Sequence, residues 1–416
     1  MNKIIFLNSN LIMCGSVKTQ FDYLDYIHQN KYDYEIVIIE DRGEENVFEK
    51  YCPKPPLFLK SQEYLNQQLK IREERNQNIF KKIKFNLALK NSYKHILKEF
   101  DKIYNEFKPD VIVDFNNCLR GDIDKYNCKT IGWTHTFISN WLSKKSSAKR
   151  FAKALNNYSK VVTVSKSAAE DLVNLNPKLE KKIHCIYNPF DFEKIKKLSD
   201  EDFFDEKFDF PLYRHTALDA VSPETVKWSY GETPHQVRGD SEKDLANKKF
   251  LLMVARLENK SKDFETLFSA FEIAKENGYD GELFLIGDGE HREYVENLKE
   301  KSKFKNNIKL LGVKMNPFNW MKKCDKFILS SKFEGLGNVL IEALTVNDTV
   351  ISSDCKSGPS EILENGKIGY LFEVGNAEQL ANLILEAKPK NKNEIENSLQ
   401  RFSHKNIMQE FEEIIV

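Results

Sequence analysis

Two glutamates and two glycines surround one predicted turn in the second half of the sequence. A short apolar run that ends at Leu329 predicts a buried strand, and the apolar segment after Gly337 predicts a helix. Glu334 precedes this helix, and Glu342 lies about two turns into it. Such a turn directs unpaired backbone N–H groups and the positive end of a helix dipole into one small volume, which favours an anion such as a phosphate. The glycines, among them Gly335, let the backbone approach that anion closely.

Two cations follow another predicted strand. The apolar run at residues 250–254 ends shortly before Arg256, and Lys262 stands six residues later, immediately before a predicted helix. A lysine at a helix N-terminus is unfavourable by about 0.3 to 1 kcal/mol, which is typical of a residue retained to bind an anion. The two side chains are therefore a candidate clamp for a charged ligand. The alternative is that they form surface ion pairs.

The spacing of Glu334 and Glu342 resembles the E-x7-E signature of glycosyltransferase family 4, a family of retaining enzymes with the GT-B fold. The segments FEGLGNVLIEAL and GPSEILENGKIGYLF resemble the same family, as does the Arg-x5-Lys spacing of Arg256 and Lys262. The resemblance implies that Glu334 contacts the donor sugar, that Glu342 binds the nucleotide ribose, and that both cations bind the donor diphosphate. It also implies that the diphosphate is held by the backbone around the turn, at Gly335, Leu336, Gly337, Asn338, Val339 and Leu340.

A histidine follows a strand in the first half, in the segment IGWTHTFISNW. The predicted strand ends at Trp133, and His135 comes where the carboxyl end of the strand should open onto a cleft. A neutral imidazole donates a hydrogen bond from one nitrogen and accepts one at the other, which suits a sugar hydroxyl. The resemblance implies that His135 binds the donor sugar. The alternative is a structural histidine at a strand end.

Two further backbone sites are expected from the resemblance. The loop after the first predicted strand contains Gly15 and Ser16, in the place where the family usually has two glycines facing the donor phosphates and the acceptor. Here a single glycine and Lys18 remain, so an ordinary turn glycine is the alternative. Gly312 and Val313 follow a later strand, where the family passes the nucleotide base close to the backbone.

Short apolar strands alternate with helical segments, which predicts doubly wound α/β sheets with function at the carboxyl ends of the strands. The resemblance implies the GT-B fold, in which two facing Rossmann-like domains enclose a nucleotide-sugar cleft. We predict an N-terminal acceptor domain at residues 1–187 and a donor-nucleotide domain at 188–400. A C-terminal helix at 401–416 should return to the first domain. An irregular insertion at about 199–248 leaves a loop, an oligomer contact and a lid as open alternatives.

The composition excludes several classes of protein. With 63 basic and 63 acidic side chains the chain has no bulk field that would hold nucleic acid. No apolar run approaches the roughly 18 residues of a membrane-spanning helix. The apolar run at the start of the sequence is too short for the apolar region of a signal peptide. Seven scattered cysteines predict reduced thiols in the cytoplasm. Asp122 and Asp124 form a D-x-D that would bind a metal in a different glycosyltransferase fold, and we predict no metal and no cofactor here.

Residues 61–108 form a Lys-rich region with helical periodicity. Ile79, Phe80, Ile83 and Leu87 keep helical spacing within it. One interpretation is a solvated helix surface. The other is a basic amphipathic face that rests on an anionic membrane so that the protein reaches a lipid-linked acceptor.

The sequence therefore predicts a retaining, metal-independent glycosyltransferase. It would move a sugar from a nucleotide-diphosphate sugar, with UDP the expected nucleotide, to a glycan or a lipid-linked glycan in the synthesis of bacterial surface polysaccharide or glycoconjugate. Two alternatives use the same nucleotide site. One is a GT-B epimerase of sugar nucleotides, and the other is a non-catalytic UDP-sugar-binding partner of another transferase.

Overall fold

The computed structural model describes residues 2–12, 15–46, 48–142, 144–201, 248–314 and 316–416. The strands of this part form two separate parallel sheets of seven and six strands. The predicted insertion at about 199–248 lies almost wholly outside the described residues.

The first sheet has the strand order β3-β2-β1-β4-β5-β6-β7. Its strands are β1 (Lys3–Asn8), β2 (Asp33–Glu40), β3 (Leu57–Lys60), β4 (Val111–Asp114), β5 (Lys129–Thr134), β6 (Lys160–Thr163) and β7 (Ile183–Cys185). The helices of this part are α1 (Gly15–Gln29), α2 (Gln62–Glu74), α3 (Ile79–Phe107), α4 (Ile138–Trp141), α5 (Lys145–Leu155), α6 (Lys166–Leu175) and α7 (Phe192–Ser199). The strand order reverses at β1, which opens a crevice at the carboxyl ends of the neighbouring strands.

The second sheet has the order β10-β9-β8-β11-β12-β13. Its strands are β8 (Phe250–Val254), β9 (Glu282–Ile286), β10 (Ile308–Leu310), β11 (Lys326–Leu329), β12 (Val350–Ser353) and β13 (Tyr370–Phe372). The helices are α8 (Phe264–Glu276), α9 (Arg292–Lys301), α10 (Phe318–Lys323), α11 (Asn338–Val346), α12 (Pro359–Ile362), α13 (Ala377–Glu386), α14 (Lys392–Leu399) and α15 (His404–Ile415). Here β8 and β11 are neighbours, so the order again reverses beside them.

Buried apolar strands and capped helices explain this architecture. Every residue of β8, sequence FLLMV, is buried, as expected for a parallel strand that helices cover on both faces. The next helix, α8, begins where the side chain of Asp263 accepts a hydrogen bond from the backbone N–H of Thr266. In the first sheet Ser165 caps α6 in the same way, by accepting from Ala168. These caps fix helix starts close to the carboxyl edges of both sheets.

The last helix, α15, packs on the first sheet. The ring of Phe411 lies 4.6 Å from that of Tyr23 and 6.2 Å from that of Phe6, measured between ring centroids. The hydroxyl of Tyr26 donates to Glu412 at 2.9 Å. Helix α7, in contrast, packs against α10 and α11 of the second sheet. The chain therefore crosses between the two units twice, once before α7 and once before α15.

The described residues carry no three-residue His, Cys, Asp or Glu group arranged to bind a metal ion. Asp122 and Asp124 flank Ile123 in a 3-10 helix. None of the helices described combines the length and apolar character needed to cross a membrane. The six cysteines described are free thiols, at Cys52, Cys118, Cys128, Cys185, Cys324 and Cys355.

Candidate active site

A buried ion pair joins the two strand ends at the centre of the second sheet. The Nζ atom of Lys262 donates to Oε1 of Glu334 at 2.5 Å, and both side chains are 13% exposed. The hydroxyl of Ser331 donates to the same carboxylate oxygen at 2.6 Å. Lys262 and Ser331 also form an isolated β-bridge. The sequence assigned these two charges separately to phosphate and sugar, whereas the structure brings them into direct contact.

Arg256 lies at the same edge of the second sheet, two residues after β8. Its side chain is half-buried, and within the described residues its Nε atom is buried without a hydrogen-bond partner. A buried guanidinium nitrogen without a partner is a donor available to an acceptor that enters the cleft. Arg256 and Lys262 therefore bring two positive charges to the loop between β8 and α8.

The turn before α11 has the backbone geometry of an anion site. Gly337 adopts a left-handed conformation, with φ of +90°, and α11 starts directly after it. No side chain among the described residues caps α11, so its first N–H groups are left for another acceptor. The segment that contains Gly358 packs against this turn. A Cβ atom on Gly358 would overlap the carbonyl oxygen of Leu336.

Glu342 lies one turn into α11 and is 1% exposed. It shares a helix face with Asn338, four residues earlier. The Oδ1 atom of Asn338 accepts from Nδ2 of Asn188 at 2.9 Å, at the point where the chain leaves the first domain. The predicted ribose-binding residue, Glu342, is therefore a buried carboxylate on the face of α11 that meets the crossing segment at Asn188.

His135 lies directly after β5, at the carboxyl end of the strand. Its ring stacks with those of Trp133, at 6.4 Å, and Phe115, at 6.1 Å. Burial lowers the pKa of His135 to about 4, and a hydrogen bond to the backbone of Phe115 opposes this effect. Its Nε2 atom is buried and has no hydrogen-bond partner among the described residues. The imidazole is therefore neutral at pH 7, with one nitrogen available to a hydroxyl group.

Hydroxyl groups join the two domains beside this histidine. A Cβ atom on Gly335 would stand 2.5 Å from the carbonyl oxygen of His135, so the two backbones touch. The carbonyl oxygen of Gly335 accepts from Ser357 at 2.6 Å and from Ser165 at 3.1 Å. The two hydroxyl oxygens lie 3.0 Å apart. Sequence reasoning missed both serines, because a serine before a helix is common and carries no mark of a contact 192 residues away.

Glu361 is a second missed residue at the domain contact. Its carboxylate accepts from the backbone N–H of Lys166 at 3.1 Å and from the hydroxyl of Tyr187. Both donors belong to the first domain. The signal in the sequence that could have identified Glu361 is that it belongs to GPSEI, a segment that resembles the family and stands at a predicted helix start.

The remaining predicted residues lie around the same cleft edge or outside the described side chains. Gly312 adopts a φ of +69°, and its carbonyl oxygen accepts from the N–H of Gly287 at 2.8 Å. Val313 beside it is exposed. Gly15 is the first residue of α1, and the side chain of Ser16 lies outside the described part of the structure.

Two family descriptions match the chain, one on each domain. Residues 31–194 match the model described as Glycosyltransferase Family 4, and residues 239–405 match Glycosyl transferases group 1. The chain belongs to the family 4, group 1 glycosyltransferases. The resemblance stated from the sequence is thereby confirmed.

Curated relatives of this family 4 chain match it over shorter segments. An uncharacterized glycosyltransferase of Methanocaldococcus jannaschii is 43% identical over 97 residues, which are 23% of this chain and 24% of the relative. The N-acetylgalactosamine-N,N'-diacetylbacillosaminyl-diphospho-undecaprenol 4-alpha-N-acetylgalactosaminyltransferase of Campylobacter jejuni is 37% identical over 134 residues, 32% of this chain and 36% of the relative. The chain thus spans about a quarter to a third of the length of these relatives.

Solved structures of similar fold cover nearly the whole chain. HepE from Anabaena in complex with UDP has a TM-score of 0.69 at 18% identity, over 99% of this chain and 98% of HepE. TarM of S. aureus has a TM-score of 0.69 at 13% identity, over 100% of this chain and 99% of TarM. Such identities show the fold alone. They confirm the predicted GT-B arrangement of two α/β domains.

Proposed function

We propose that this chain is a retaining, metal-independent glycosyltransferase that moves a sugar from a nucleotide-diphosphate sugar to a glycan. One observation carries the proposal. The ion pair of Lys262 and Glu334 lies at the carboxyl edge of the second sheet, while the turn that follows Glu334 touches His135 of the first domain. Positive charge and a carboxylate of the second domain thus lie beside the backbone of a histidine whose imidazole is neutral.

The positions of the charged groups support a separate role for each of them when a donor binds. The ammonium group of Lys262 and the guanidinium of Arg256 would turn to the diphosphate, together with the first N–H groups of α11. Glu334 would then be released to bind hydroxyls of the sugar, beside Nε2 of His135. As the glycosidic bond breaks, negative charge grows on the leaving phosphate, and donors already fixed in place stabilise it. Two cations and a helix N-terminus here fill the role that a divalent metal has elsewhere.

The nucleotide would lie against the second domain. Glu342 would bind the ribose hydroxyls, and the exposed backbone at Gly312 and Val313 would pass beside the base. Gly15 and Ser16 would approach the phosphates from the first domain. Similar structures of HepE are described in complex with UDP and with UDP-glucose, which supports a UDP-sugar as donor.

The acceptor is proposed from the relatives. The C. jejuni relative is named for a diphospho-undecaprenol-linked sugar, and a relative from S. aureus is a poly(ribitol-phosphate) alpha-N-acetylglucosaminyltransferase. We therefore propose a glycan or lipid-linked glycan acceptor in bacterial surface polysaccharide synthesis, at the cytoplasmic face of an anionic membrane. The acceptor hydroxyl would attack from the face that the phosphate leaves, so the anomeric configuration is retained.

Product analysis tests this proposal. The purified chain is incubated with single UDP-, GDP- and ADP-sugars, with and without a lipid-linked glycan extract, and each reaction is run with and without EDTA. We expect an acceptor-dependent product and release of one nucleotide, unchanged by EDTA. A new sugar nucleotide formed from donor alone would instead indicate an epimerase. Binding of UDP in a thermal-shift assay with no turnover for any donor and acceptor would indicate a non-catalytic partner and overturn the proposal.

A further inference from the structure

The first half of α3 carries an apolar stripe that faces solvent. The four residues of this stripe are between 50 and 79% exposed, and they are Ile79, Phe80, Ile83 and Leu87. At 100° per residue they fall within an arc of about 100° on the helix surface. Farther along the same helix Ser92, Ile96 and Phe100 are buried. The helix therefore begins at an exposed tip and ends in the body of the first domain.

The opposite side of this tip is occupied by α2. The guanidinium of Arg75, at the end of α2, lies 5.5 Å from the ring centroid of Phe85. Lys81 forms an ion pair with Glu74 of α2. Tyr64 of α2 stacks on His95 at 4.7 Å. The apolar stripe thus points away from α2, and the α2–α3 hairpin presents it outward.

The charged residues of the segment that carries the stripe have one sign. Residues 75–98 contain seven Lys or Arg and no Asp or Glu. Lys90 and Lys94 continue the line of the stripe toward the body of the domain, since 79, 83, 87, 90 and 94 follow helical spacing. Lys82 and Lys84 flank it on either side. An apolar face bordered by lysines is the pattern of a helix that lies in a membrane interface.

We propose that the α2–α3 hairpin docks on an anionic membrane surface. The stripe of Ile79, Phe80, Ile83 and Leu87 enters the boundary between headgroups and acyl chains, with the tip of α3 deepest. Lys90 and Lys94 then reach the headgroup phosphates, about 16 and 22 Å farther along the helix than Ile79. This surface deepens the proposed function by naming the partner that would bring a lipid-linked acceptor to the cleft.

A second copy of the chain fits the surface less well. Two hairpins packed stripe to stripe would bring the lysines that border each stripe, namely Lys82, Lys84, Lys90 and Lys94, toward their counterparts, with no acid at residues 75–98 to offset them, which is repulsive. An anionic lipid surface complements both the apolar residues and the charge. The partner of this surface is therefore a lipid membrane.

The test measures binding of the purified full chain to vesicles, without turnover. Vesicles of phosphatidylcholine containing about a third phosphatidylglycerol should sediment the chain, and pure phosphatidylcholine vesicles should not. Raising the salt to about 1 M shortens the screening length to about 3 Å and should release most of the protein. Equal binding to both vesicle types, or to neither, would overturn the proposal, whatever the outcome of the transferase assay.

Matched variants locate the surface. Ile79→Ser, Phe80→Ser, Ile83→Ser and Leu87→Ser combined should abolish sedimentation. Lys90→Gln with Lys94→Gln should weaken it about 25-fold, at about fivefold per lysine. The controls change exposed residues outside the α2–α3 hairpin, namely Val374→Ser with Leu385→Ser, and Lys301→Gln with Lys405→Gln.

The controls should bind as the wild type does. All variants should keep the wild-type circular dichroism and thermal midpoint, because the substituted side chains are exposed. Stripe variants that still sediment with anionic vesicles would refute the assignment. So would a chain that sedimentation velocity shows to be a dimer through this stripe and that ignores lipid.

Discussion

The backbone of Gly335 touches the backbone of His135. Gly335 belongs to the turn before α11 in the second domain, and His135 follows β5 in the first. A Cβ atom on Gly335 would stand 2.5 Å from the carbonyl oxygen of His135, closer than real Cβ contacts. Glycine is therefore required at position 335 by the distance between two domains. The left-handed region is not the reason here, unlike at Gly337.

Gly335→Ala should lower activity without unfolding either domain. The methyl group has to displace the His135 carbonyl, which moves the imidazole away from the anion site. Because a misplacement of about 1 Å can cost about 100-fold, we expect kcat/KM to fall about 10- to 100-fold. Steady-state kinetics with the preferred donor measures this. Gly121→Ala is the control, since its Cβ would meet only the hydroxyl end of Tyr93, at 3.2 Å. Equal activity of both variants would contradict the argument.

Removal of either cation should slow the chemical step. Lys262→Ala and Arg256→Ala each remove a donor proposed to bind the leaving phosphate, and single contacts of this kind are worth about 2.7 to 4 kcal/mol. We expect kcat to fall about 100- to 1,000-fold in each. The neighbouring Lys260 is exposed, and Lys260→Ala should retain activity. A kcat within threefold of wild type for both Lys262→Ala and Arg256→Ala would reject the clamp.

The contact between Lys262 and Glu334 adds a condition to this prediction. Lys262→Ala leaves a mostly buried carboxylate without its cation, so part of its effect comes from Glu334. A double-mutant cycle with Glu334→Gln separates the two. We expect the combined loss in kcat/KM to be smaller than the sum of the single losses by more than about 0.5 kcal/mol, because the residues touch. Additive losses would mean that the pair does not act as a unit.

The sequence predicts the strands that position these residues but not the contact between them. The apolar run FLLMV predicted a buried strand, and the strand ends predicted where Arg256 and Lys262 lie, because parallel strands place function at their carboxyl edge. The direct pairing of Lys262 with Glu334 could not be predicted. It depends on β8 and β11 being neighbours, a contact between strands more than 70 residues apart whose order no local pattern specifies.

The same limit applies to the helices. Periodicity predicted a helical region at residues 61–108 but not that the break at 75–78 divides it into α2 and the 29-residue α3. Asn78 starts the second helix by accepting from the N–H of Lys81, and asparagine is as common in turns as at helix starts. The sequence also did not decide whether Ile79 and Phe80 of the stripe are exposed, because an apolar helix face usually packs in the core.

The ring of His135 gives a prediction for pH. Its folded pKa of about 4 lies below the unfolded value of about 6.5, so between these values the unfolded chain binds a proton that the folded chain does not. Stability from this group is complete above about pH 6.5 and is lost as the pH falls toward 4. Between pH 7.5 and 5 the free energy of unfolding of the wild type should therefore drop by about 2 kcal/mol more than that of His135→Gln.

Urea unfolding of both proteins at the two pH values measures this difference. A second readout is the NMR titration of the His135 C–H resonance, whose midpoint should lie near 4. A midpoint close to 6.5, or equal drops in stability for the two proteins, would show that the imidazole is not held neutral by burial.

Substitutions of the serines at the domain contact should distinguish closure of the two domains from folding of each domain. Ser165, Ser357 and the carbonyl oxygen of Gly335 make three contacts, but the two hydroxyls have only two protons to share among them. Ser357→Ala removes one contact across the domains, to the hydroxyl of Ser165 at 3.0 Å, which a net value of about 1 kcal/mol converts to a roughly fivefold loss in kcat/KM. It also removes a 2.6 Å bond to the carbonyl oxygen of Gly335 inside the second domain, so the free energy of unfolding should fall by about 1 kcal/mol.

Ser165→Ala should differ from Ser357→Ala in a specific way. Ser165 makes both contacts across the domains, to Gly335 and to Ser357, so Ser165→Ala should lose more kcat/KM than Ser357→Ala, by about a further fivefold. Its cap on α6, through the N–H of Ala168, should make its loss of unfolding free energy a similar value of about 1 kcal/mol. Comparing kinetics and urea unfolding for the two variants and for the exposed control Ser146→Ala tests this. If the two variants lost equal activity, the bond from Ser165 to Gly335 would not contribute to closure of the domains.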